Sequence, residues 1–491
     1  MHDYLMYIDG EFCSASDGAT FETLNPATGE AWATAPAATE DDVDRAVKAA
    51  HRALHEGPWA DMTATERGKL LFVLADLLAE HSEHLGSVET TDSGKLAVET
   101  RGQSAYVAEY YRYYGGLADK LQGSTLPIDK PNLHVFTTRE PIGVVAGIVP
   151  WNAEMLLTAT KAAPALAAGN TVVIKSSEEA PAPVLAFAEL VDQAGFPPGV
   201  FNLITGFGEP CGRALTSHPL VSKVSFTGGI DAARQVVANT AQNFAPVSLE
   251  LGGKSPILIF DDADFEAAVN GAVAGNFGAS GQSCVAGSRV FVQAGIFDRF
   301  LEAVAQRARA VQIGDPLDAT TQVGPLATKK QRDNIEKTLS ESVAQGAEIM
   351  AGGQRPEGFD QGWYFEPTVV SCPNQEILST QVELFGPVMS VIKFSTEEEA
   401  IAMANDTVFG LGSGVFTNDL GRAHRVAAGL HAGIVWVNTY RAISPVAPFG
   451  GFGQSGYGRE AGIDAIYDYT RTKTVWINTS KEPMANPFVM R

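Results

Sequence analysis

The sequence has few cysteines and no long hydrophobic run. Its four cysteines, Cys13, Cys211, Cys284 and Cys372, lie far apart and form no Cys-x-x-Cys pair. This spacing favours reduced thiols over a disulfide framework and suggests no metal site. No stretch approaches the roughly 18 apolar residues of a membrane span, and the first residues do not resemble a secretory signal. We therefore expect a cytoplasmic protein that does not bind membranes.

Basic residues are also scarce. The chain carries 35 Lys and Arg against 57 Asp and Glu, which gives a formal net charge of −22 at pH 7. Such a surface repels a phosphate backbone, so we expect no nucleic-acid partner. A chain of 491 residues is longer than a domain with one hydrophobic core usually is. Its composition, with 45% hydrophobic and 19% charged residues, is typical of globular proteins. More than one domain is expected.

The spacing of apolar residues predicts how the chain is organised. In residues 40–118, apolar side chains recur at spacings of three and four residues, which predicts helices. After Gly143, β-like and helical segments alternate, which predicts parallel βαβ units and a Rossmann-like sheet that binds a nucleotide. The predicted strands are 144–149, 171–175, 200–204 and 223–226, and the predicted helices are 155–168, 181–194 and one starting at Gly229. A second α/β series begins with a strand at 256–260, where Asp262 and Asp264 are candidate helix caps.

Two further segments have β character. Residues 121–138, interrupted by Pro127 and Pro131, predict a hairpin arm, and residues 470–478 predict an edge strand. Exposed strand edges seek partners, so the two segments are expected to pair within one subunit or between subunits. This pattern predicts a homo-oligomer, either a homodimer or a homotetramer.

Three polar residues are candidates for a catalytic role, and each of them also has an ordinary structural explanation. Cys284 lies among small residues, where a lone cysteine is commonly a buried hydrophobe. Glu250 precedes two glycines at a strand end, where its alternative is a salt bridge to Lys254. Asn152 follows an apolar strand, where its amide can donate to an oxyanion or cap a helix.

Taken together, these segments resemble the aldehyde dehydrogenase superfamily. The resemblance spans residues 7–479 and rests on six motifs in the family's order. They are Val149-Pro150-Trp151-Asn152, Phe226-Thr227-Gly228, Leu249-Glu250-Leu251-Gly252-Gly253-Lys254, Gly281-Gln282-Ser283-Cys284, Glu383-Leu384-Phe385-Gly386-Pro387 and Pro448-Phe449-Gly450-Gly451. It implies an α/β fold with a Rossmann-like NAD-binding domain (1–120 and 142–252), a second α/β catalytic domain (253–468) and a small β oligomerisation arm (121–141 and 469–491).

The resemblance also implies a reaction, the oxidation of an aldehyde to a carboxylic acid. Cys284 is the expected nucleophile, and the Asn152 amide with the Cys284 backbone N–H is expected to hold the oxyanion. Glu250 is the expected general base that hydrolyses the thioester. An acylating enzyme that uses coenzyme A is an alternative, although such enzymes generally lack this glutamate. A catalytically retired relative and a cofactor-free cysteine hydrolase are further alternatives, and the last leaves the βαβ region without a purpose.

The same resemblance assigns a cofactor and its contacts. Lys175 and Glu178 match the pair that holds the adenosine ribose, and a glutamate there favours NAD because it repels a 2′-phosphate, with NADP still possible. The glycines at 206, 208 and 212 follow a GxGxxxG spacing that is weak by itself. The other expected cofactor residues are Pro150, Trp151, Gly208, Gly212, Phe226, Thr227, Gly228, Gly229, Leu251, Glu383 and Phe385.

The substrate is expected to be a small-molecule aldehyde of some bulk. Ala153, Thr160 and Ile443 stand where relatives often carry larger side chains, which predicts a wide tunnel and a bulky or branched aldehyde. Phe449 is expected to form an apolar wall and Arg441 to stand at the tunnel mouth. No role follows from the sequence for Glu154 or Gly453.

Overall fold

The computed structural model describes residues 2–484 and 486–489. The predicted domain ranges also include Met1, Ala485, Met490 and Arg491, which lie outside the described residues. Short strands come first along the chain. They are β1 (His2–Asp3), β2 (Met6–Ile8), β3 (Glu11–Cys13), β4 (Thr20–Asn25) and β5 (Glu30–Pro36).

A helical region follows, as the apolar spacing predicts. Its helices are α1 (Glu40–His55), α2 (Pro58–Asp61), α3 (Ala64–Glu80), α4 (Ser82–Ser93) and α5 (Ala97–Leu117). Both α1 and α3 begin with a capping box, Thr39 with Asp42 and Thr63 with Glu66, so each first turn has partners for its free N–H groups.

Alternating strands and helices make up most of the remaining chain. The first series comprises β6 (Leu133–Pro141), β7 (Val144–Ile148), α6 (Glu154–Ala167), β8 (Thr171–Lys175), α7 (Ala182–Gln193), β9 (Phe201–Ile204), α8 (Arg213–Ser217), β10 (Val221–Gly228), α9 (Ile230–Thr240) and β11 (Val247–Leu251). The predicted strands and helices of this region are confirmed, with ends that move by one or two residues.

The second series begins at the predicted strand after the paired glycines. It comprises β12 (Pro256–Ile259), α10 (Phe265–Phe277), β13 (Arg289–Gln293), α11 (Phe297–Arg309), α12 (Lys329–Ala344), β14 (Glu348–Ala351), β15 (Thr368–Ser371), α13 (Leu378–Gln381), β16 (Val388–Phe394), α14 (Glu397–Asn405), β17 (Gly412–Phe416), α15 (Leu420–Gly429), β18 (Ile434–Val437), β19 (Gly456–Tyr457), α16 (Gly462–Tyr467) and β20 (Thr470–Asn478). Of the two predicted caps, Asp264 caps α10, whereas Asp262 accepts a hydrogen bond from Arg422.

The first large sheet has the order β19-β11-β10-β7-β8-β9-β2-β3. Its central strands are parallel and its outer strands antiparallel. Every residue of β7, β8 and β9 is buried, as in a parallel sheet covered on both faces. The chain crosses from β7 to β8 and β9 on one side and to β10 on the other, so a crevice opens at the carboxyl ends of β7 and β10.

A second sheet has the order β14-β15-β16-β13-β12-β17-β18, and β1, β5 and β4 form a small third sheet. The loop that carries Cys284 lies between α10 and β13, so its end is fixed by a central strand of the second sheet. The first sheet supplies Asn152 and Glu250 from the loop after β7 and from β11. The catalytic candidates therefore come from two different sheets.

The two arm segments pair with each other inside one chain. β6 and β20 are antiparallel, with register from Thr470 opposite Pro141 to Asn478 opposite Leu133. Residues 124–126 bond to the other edge of β6, where Leu126 N–H donates to the Val135 carbonyl over 2.9 Å. The predicted arm is confirmed, and Trp476 and Ile477 are exposed on it.

The strands before residue 40 are missing from the sequence-based prediction. β2 and β3 extend the first sheet at its β9 edge, with Tyr7 opposite Leu203. β1, β2 and β3 have two or three residues and are too short to show the alternation on which strand prediction depends. The longer β4 lacks the apolar pattern for another reason, because Thr23 is buried on it while Leu24 is exposed. The exact domain boundaries stay a prediction. Within the described part of the chain, no helix has the length and apolar character needed to cross a membrane.

Candidate active site

A cavity of 280 Å³ joins the candidate catalytic residues. Cys284, Glu250 and Asn152 all line it. Of the other predicted site residues, the lining includes Thr227, Leu251, Ala153, Arg441, Ile443 and Phe449. Asn152 and Cys284, which are 132 positions apart in the chain, thus meet in one cavity because two sheets deliver them to the same crevice.

The loop before Cys284 has an unusual backbone. Ala279, Ser280 and Gly281 have positive φ angles of 53°, 52° and 72°. A Cβ on Gly281 would lie 2.2 Å from the carbonyl group of Gly386, so only glycine fits there. Burial raises the pKa of the Cys284 thiol to about 12, with contributions from the Glu383 and Glu250 carboxylates. These surroundings therefore favour the neutral thiol over the thiolate.

Glu250 carries a buried carboxyl group at the end of β11. Within the described residues, neither carboxyl oxygen has a hydrogen-bond partner. The alternative role in a salt bridge is wrong, because the Lys254 ammonium is likewise without a partner among these residues. Burial, and then the charge of Glu460, raises the pKa of Glu250 well above its usual value. A Cβ on Gly450 would lie 2.7 Å from Glu250 Oε1, so that glycine makes room for the carboxyl group.

Asn152 is held against the cysteine loop. Its Nδ2 donates to the backbone carbonyl of Gln282 over 3.0 Å, and Gln282 Oε1 accepts from the Ala327 N–H over 2.9 Å. The alternative role as a helix cap is wrong, because α6 begins at Glu154 with Ala153 at its cap position and without a side-chain cap. An amide has two N–H bonds, so one remains to donate to an oxyanion.

Gly252 and Gly253, the paired glycines after β11, lie against the carboxyl group of Glu383. A Cβ on Gly252 would lie 2.0 Å from Glu383 Oε2, and the Gly253 N–H donates to Glu383 Oε1 over 2.9 Å. Burial raises the pKa of Glu383 to about 7. Phe385 follows Glu383 by two residues, and its ring meets the Trp151 ring edge to face, with ring centres 5.4 Å apart.

A second cavity of 320 Å³ lies at the carboxyl end of β8 and contains five of the predicted cofactor residues. They are Lys175, Glu178, Gly208, Gly212 and Phe226. Lys175 Nζ lies 3.4 Å from Glu178 Oε2, which offers a donor and an acceptor side by side. The space where a Gly208 side chain would stand is open to 4 Å. These features fit the two hydroxyls of an adenosine ribose.

Several of the remaining cofactor candidates lie at strand ends of the first sheet. Pro150 and Trp151 follow β7, Gly228 ends β10, and Gly229 is the cap residue of α9. Thr227 pairs in register with Glu250 across β10 and β11. Sequence reasoning missed other residues of the second cavity, namely Ile148, Glu209, Arg213, Thr216, Ala232, Gln235, Val236 and Asn239.

Thr160 requires a correction. It does not line the 280 Å³ cavity, because its hydroxyl lies 2.8 Å from Glu460 Oε2 in a buried network. The Lys161 ammonium bonds to the same glutamate and to Thr227 Oγ1. The small size of Thr160 therefore does not widen the tunnel, whereas Ala153 and Ile443 do line it.

One side of the cavity comes from residues that the sequence did not single out. They are Lys95 just before α5, Glu99 and Gln103 on α5, and Leu156 and Leu157 on α6. Nothing in a helical segment distinguishes these side chains from an ordinary packed or solvated face. Glu154 lies close to them and is fully buried, with neither oxygen bonded to a described residue. Burial and the charge of Glu89 raise the pKa of Glu154 well above its usual value, so ionisation of this group is less favourable in the folded chain than in water.

Comparisons with known proteins agree on one family. A sequence model described as the aldehyde dehydrogenase family matches residues 12–475. The chain is 53% identical over 493 residues to (Z)-2-((N-methylformamido)methylene)-5-hydroxybutyrolactone dehydrogenase from Acinetobacter baylyi, with 100% of both chains covered. It is 42% identical to an aldehyde dehydrogenase of Arabidopsis thaliana, covering 97% of this chain and 95% of that one. A solved structure of betaine aldehyde dehydrogenase from Staphylococcus aureus in complex with NAD⁺ is 40% identical, with a TM-score of 0.97 and coverage of 99% and 97%.

The raised pKa of Glu154 predicts how the free energy of unfolding depends on pH. The unfolded chain ionises this group above a pKa of about 4.3, whereas the folded chain resists ionisation, so stability falls as the pH rises from that value toward the raised folded pKa. Glu154→Gln removes the ionisation. We expect the variant to gain on the order of 2 °C in melting temperature over the wild type near pH 8 and less near pH 5.5, measured by calorimetry. The exposed Glu80→Gln serves as control, and an equal shift of Glu154→Gln at both pH values would contradict the assignment.

Proposed function

The chain belongs to the aldehyde dehydrogenase family, and we propose that it oxidises an aldehyde to the carboxylic acid with NAD through a thioester on Cys284. One observation carries the proposal. A thiol, a buried carboxyl group without a partner among the described residues, and a side-chain amide line one cavity, as Cys284, Glu250 and Asn152. These are the groups that acylation of a cysteine and hydrolysis of the resulting thioester require.

The first step forms a bond between sulfur and carbon. Cys284 loses its proton to solvent, and the thiolate attacks the aldehyde carbon while the carbonyl π electrons move to oxygen. The second N–H of Asn152 and the backbone N–H of Cys284 stabilise that oxyanion. Because Asn152 is already fixed to the Gln282 carbonyl, its amide needs no reorganisation during the step.

The cofactor sites divide into two groups of residues. Lys175 and Glu178 would hold the adenosine ribose, and Gly208 and Gly212 leave space beside it. Glu383 and Phe385 would hold the ribose and ring of the other half, next to Trp151. When bound by these residues, NAD would supply a cationic ring that favours the thiolate and an acceptor for the hydride of the substrate carbon. We propose NAD in preference to NADP, since the Glu178 carboxylate would repel a 2′-phosphate.

The second half of the reaction breaks the bond between sulfur and carbon. Glu250 accepts a proton from a water molecule, the resulting hydroxide equivalent adds to the thioester carbon, and Cys284 leaves as a thiolate. The raised pKa of the Glu250 carboxyl group makes it a stronger base than an exposed glutamate. A base for hydrolysis argues against transfer of the acyl group to coenzyme A, and the intact catalytic set argues against a retired enzyme.

The substrate is proposed to be a bulky or branched aldehyde that carries polar groups. Ala153 and Ile443 leave the cavity wide, while Phe449, Leu156 and Leu157 supply apolar surface. The Acinetobacter baylyi relative is named for a hydroxybutyrolactone that bears an N-methylformamido group. A lactone with a hydroxyl on the carbon that bears the ring oxygen is at the oxidation level of an aldehyde. Such a compound fits the same reaction.

The assembly is proposed to be a homodimer or homotetramer built through the arm. Trp476 and Ile477 of β20 are 56% and 46% exposed, and apolar side chains on a two-stranded sheet are suited to burial against another subunit. The proposed domain division keeps the ranges 1–120 with 142–252, 253–468, and 121–141 with 469–491.

Replacing the proposed hydrolytic base separates the two half-reactions. Glu250→Gln should form about one equivalent of NADH per active site and then turn over about 100-fold more slowly than the wild type or worse, because acylation precedes hydrolysis. Stopped-flow absorbance of NADH measures both phases. The exposed Glu348→Gln should behave as the wild type does. A burst and a steady rate that fall by the same factor would contradict the assignment.

Filling the proposed tunnel tests the substrate size. The wild type should prefer a branched or aromatic aldehyde to acetaldehyde, and Ala153→Phe should lower the ratio of their kcat/KM values about tenfold, since the added ring excludes the larger substrate. Steady-state assays with both aldehydes give the ratio. Ala344→Phe, at the exposed end of α12, is the matched control. A wild type that prefers acetaldehyde, or an unchanged ratio in Ala153→Phe, would show that the tunnel is not the determinant.

A further inference from the structure

The cavity has a polar side that the proposed reaction does not use. Lys95, Glu99 and Gln103 line it together with Cys284 and Asn152. Polar side chains in a cavity that is otherwise apolar orient a ligand. The hydrogen bonds of these three residues determine which groups face an incoming substrate.

Lys95 is fixed by a buried ion pair. Its ammonium donates to Glu89 Oε1 over 2.8 Å and to Gln103 Oε1 over 2.6 Å. Only 5% of the Lys95 side chain is exposed and none of Glu89. A buried pair of this kind is rigid, because loss of either partner would leave an uncompensated charge. Gln103 is thereby anchored at its oxygen.

This anchor determines the orientation of the Gln103 amide. An ammonium group only donates hydrogen bonds, so the amide oxygen must face Lys95 and the NH₂ group must face away. Across residues 2–484 and 486–489, no acceptor takes a hydrogen bond from that NH₂ group, and Gln103 is half-buried in the cavity wall. Two N–H donors in a fixed direction are therefore available to a ligand.

Glu99 connects this wall to the cysteine loop. Its Oε1 accepts from the Ala279 N–H over 2.9 Å, five residues before Cys284. Gln103 follows Glu99 by four residues on α5, so the two side chains share one face of the helix. The Gln103 donors are thus held in a constant relation to the nucleophile.

We propose that the Gln103 amide determines specificity by donating to a carbonyl oxygen of the substrate that is remote from its aldehyde group. The inference deepens the proposed function and rests on it. The recognised class is an aldehyde that carries an amide, ester or lactone carbonyl, with its hydrocarbon part against Leu156, Leu157 and Phe449. A donor pair without an acceptor among the described residues favours such a substrate over its hydrocarbon analogue, because the analogue leaves the donors unpaired.

Two substrates and two variants test this role. The substrates are an aldehyde with a terminal carboxamide and the aldehyde of equal length in which an isopropyl group replaces that carboxamide. Gln103→Leu removes both the donors and the acceptor for Lys95. Gln103→Glu keeps an acceptor for Lys95 and removes the donors, so it separates recognition of substrate from support of the ion pair. Melting temperatures establish that both variants fold.

The measured quantity is the ratio of kcat/KM for the amide to that for its isopropyl analogue. The wild type should favour the amide, and both variants should lower the ratio about tenfold because both lose the N–H donors. A wild type that does not discriminate, or a wild-type ratio in Gln103→Glu, would overturn the proposal while leaving aldehyde oxidation intact. If neither aldehyde yields NADH, the proposed function fails, and the specificity role fails with it.

Discussion

The site depends on one constraint, the burial of the Glu250 carboxyl group in the cavity that also contains the Cys284 thiol. A buried carboxylate without hydrogen bonds is costly, so the group has a raised pKa and a strong tendency to take up a proton. The surrounding backbone keeps the site open for it. Gly450 is a glycine because any side chain would collide with Glu250, and Gly252 is one because Glu383 occupies the adjacent space. Gly252 and Gly450 are therefore consequences of two carboxyl groups in a confined site.

The sheet topology explains why these groups meet. Neighbouring parallel strands end at the same edge, so β7, β10 and β11 bring Asn152, Thr227 and Glu250 to one crevice. The cysteine comes from the second sheet, on a loop with positive φ angles whose Gly281 lies close against Gly386. Hydrogen bonds cross the crevice at Asn152 and Gln282, and at Gly253 and Glu383. The two sheets are joined where the chemistry takes place.

Local sequence patterns predict much of this fold and only part of the site. The βαβ alternation and the helices at 40–118 follow from spacing and capping, and strand β20 is predicted to the residue. Local spacing does not predict contacts between residues that are distant in the chain. Thr160 was assigned to the tunnel, but its hydroxyl meets Glu460, 300 positions away. Lys95, Glu99 and Gln103 reach the cavity only because α5 packs beside the cysteine loop. The structure also excludes the cap role of Asn152 and the salt bridge of Glu250 with Lys254, which residue types alone left open.

The central claim is that the reaction passes through a covalent bond to the sulfur of Cys284. The most direct test is Cys284→Ala, because the substitution removes the sulfur and few cofactor contacts. NAD affinity, measured by calorimetric titration, should stay close to that of the wild type, while aldehyde-dependent formation of NADH should fall below detection. Appreciable turnover by Cys284→Ala with intact NAD binding would contradict the covalent mechanism.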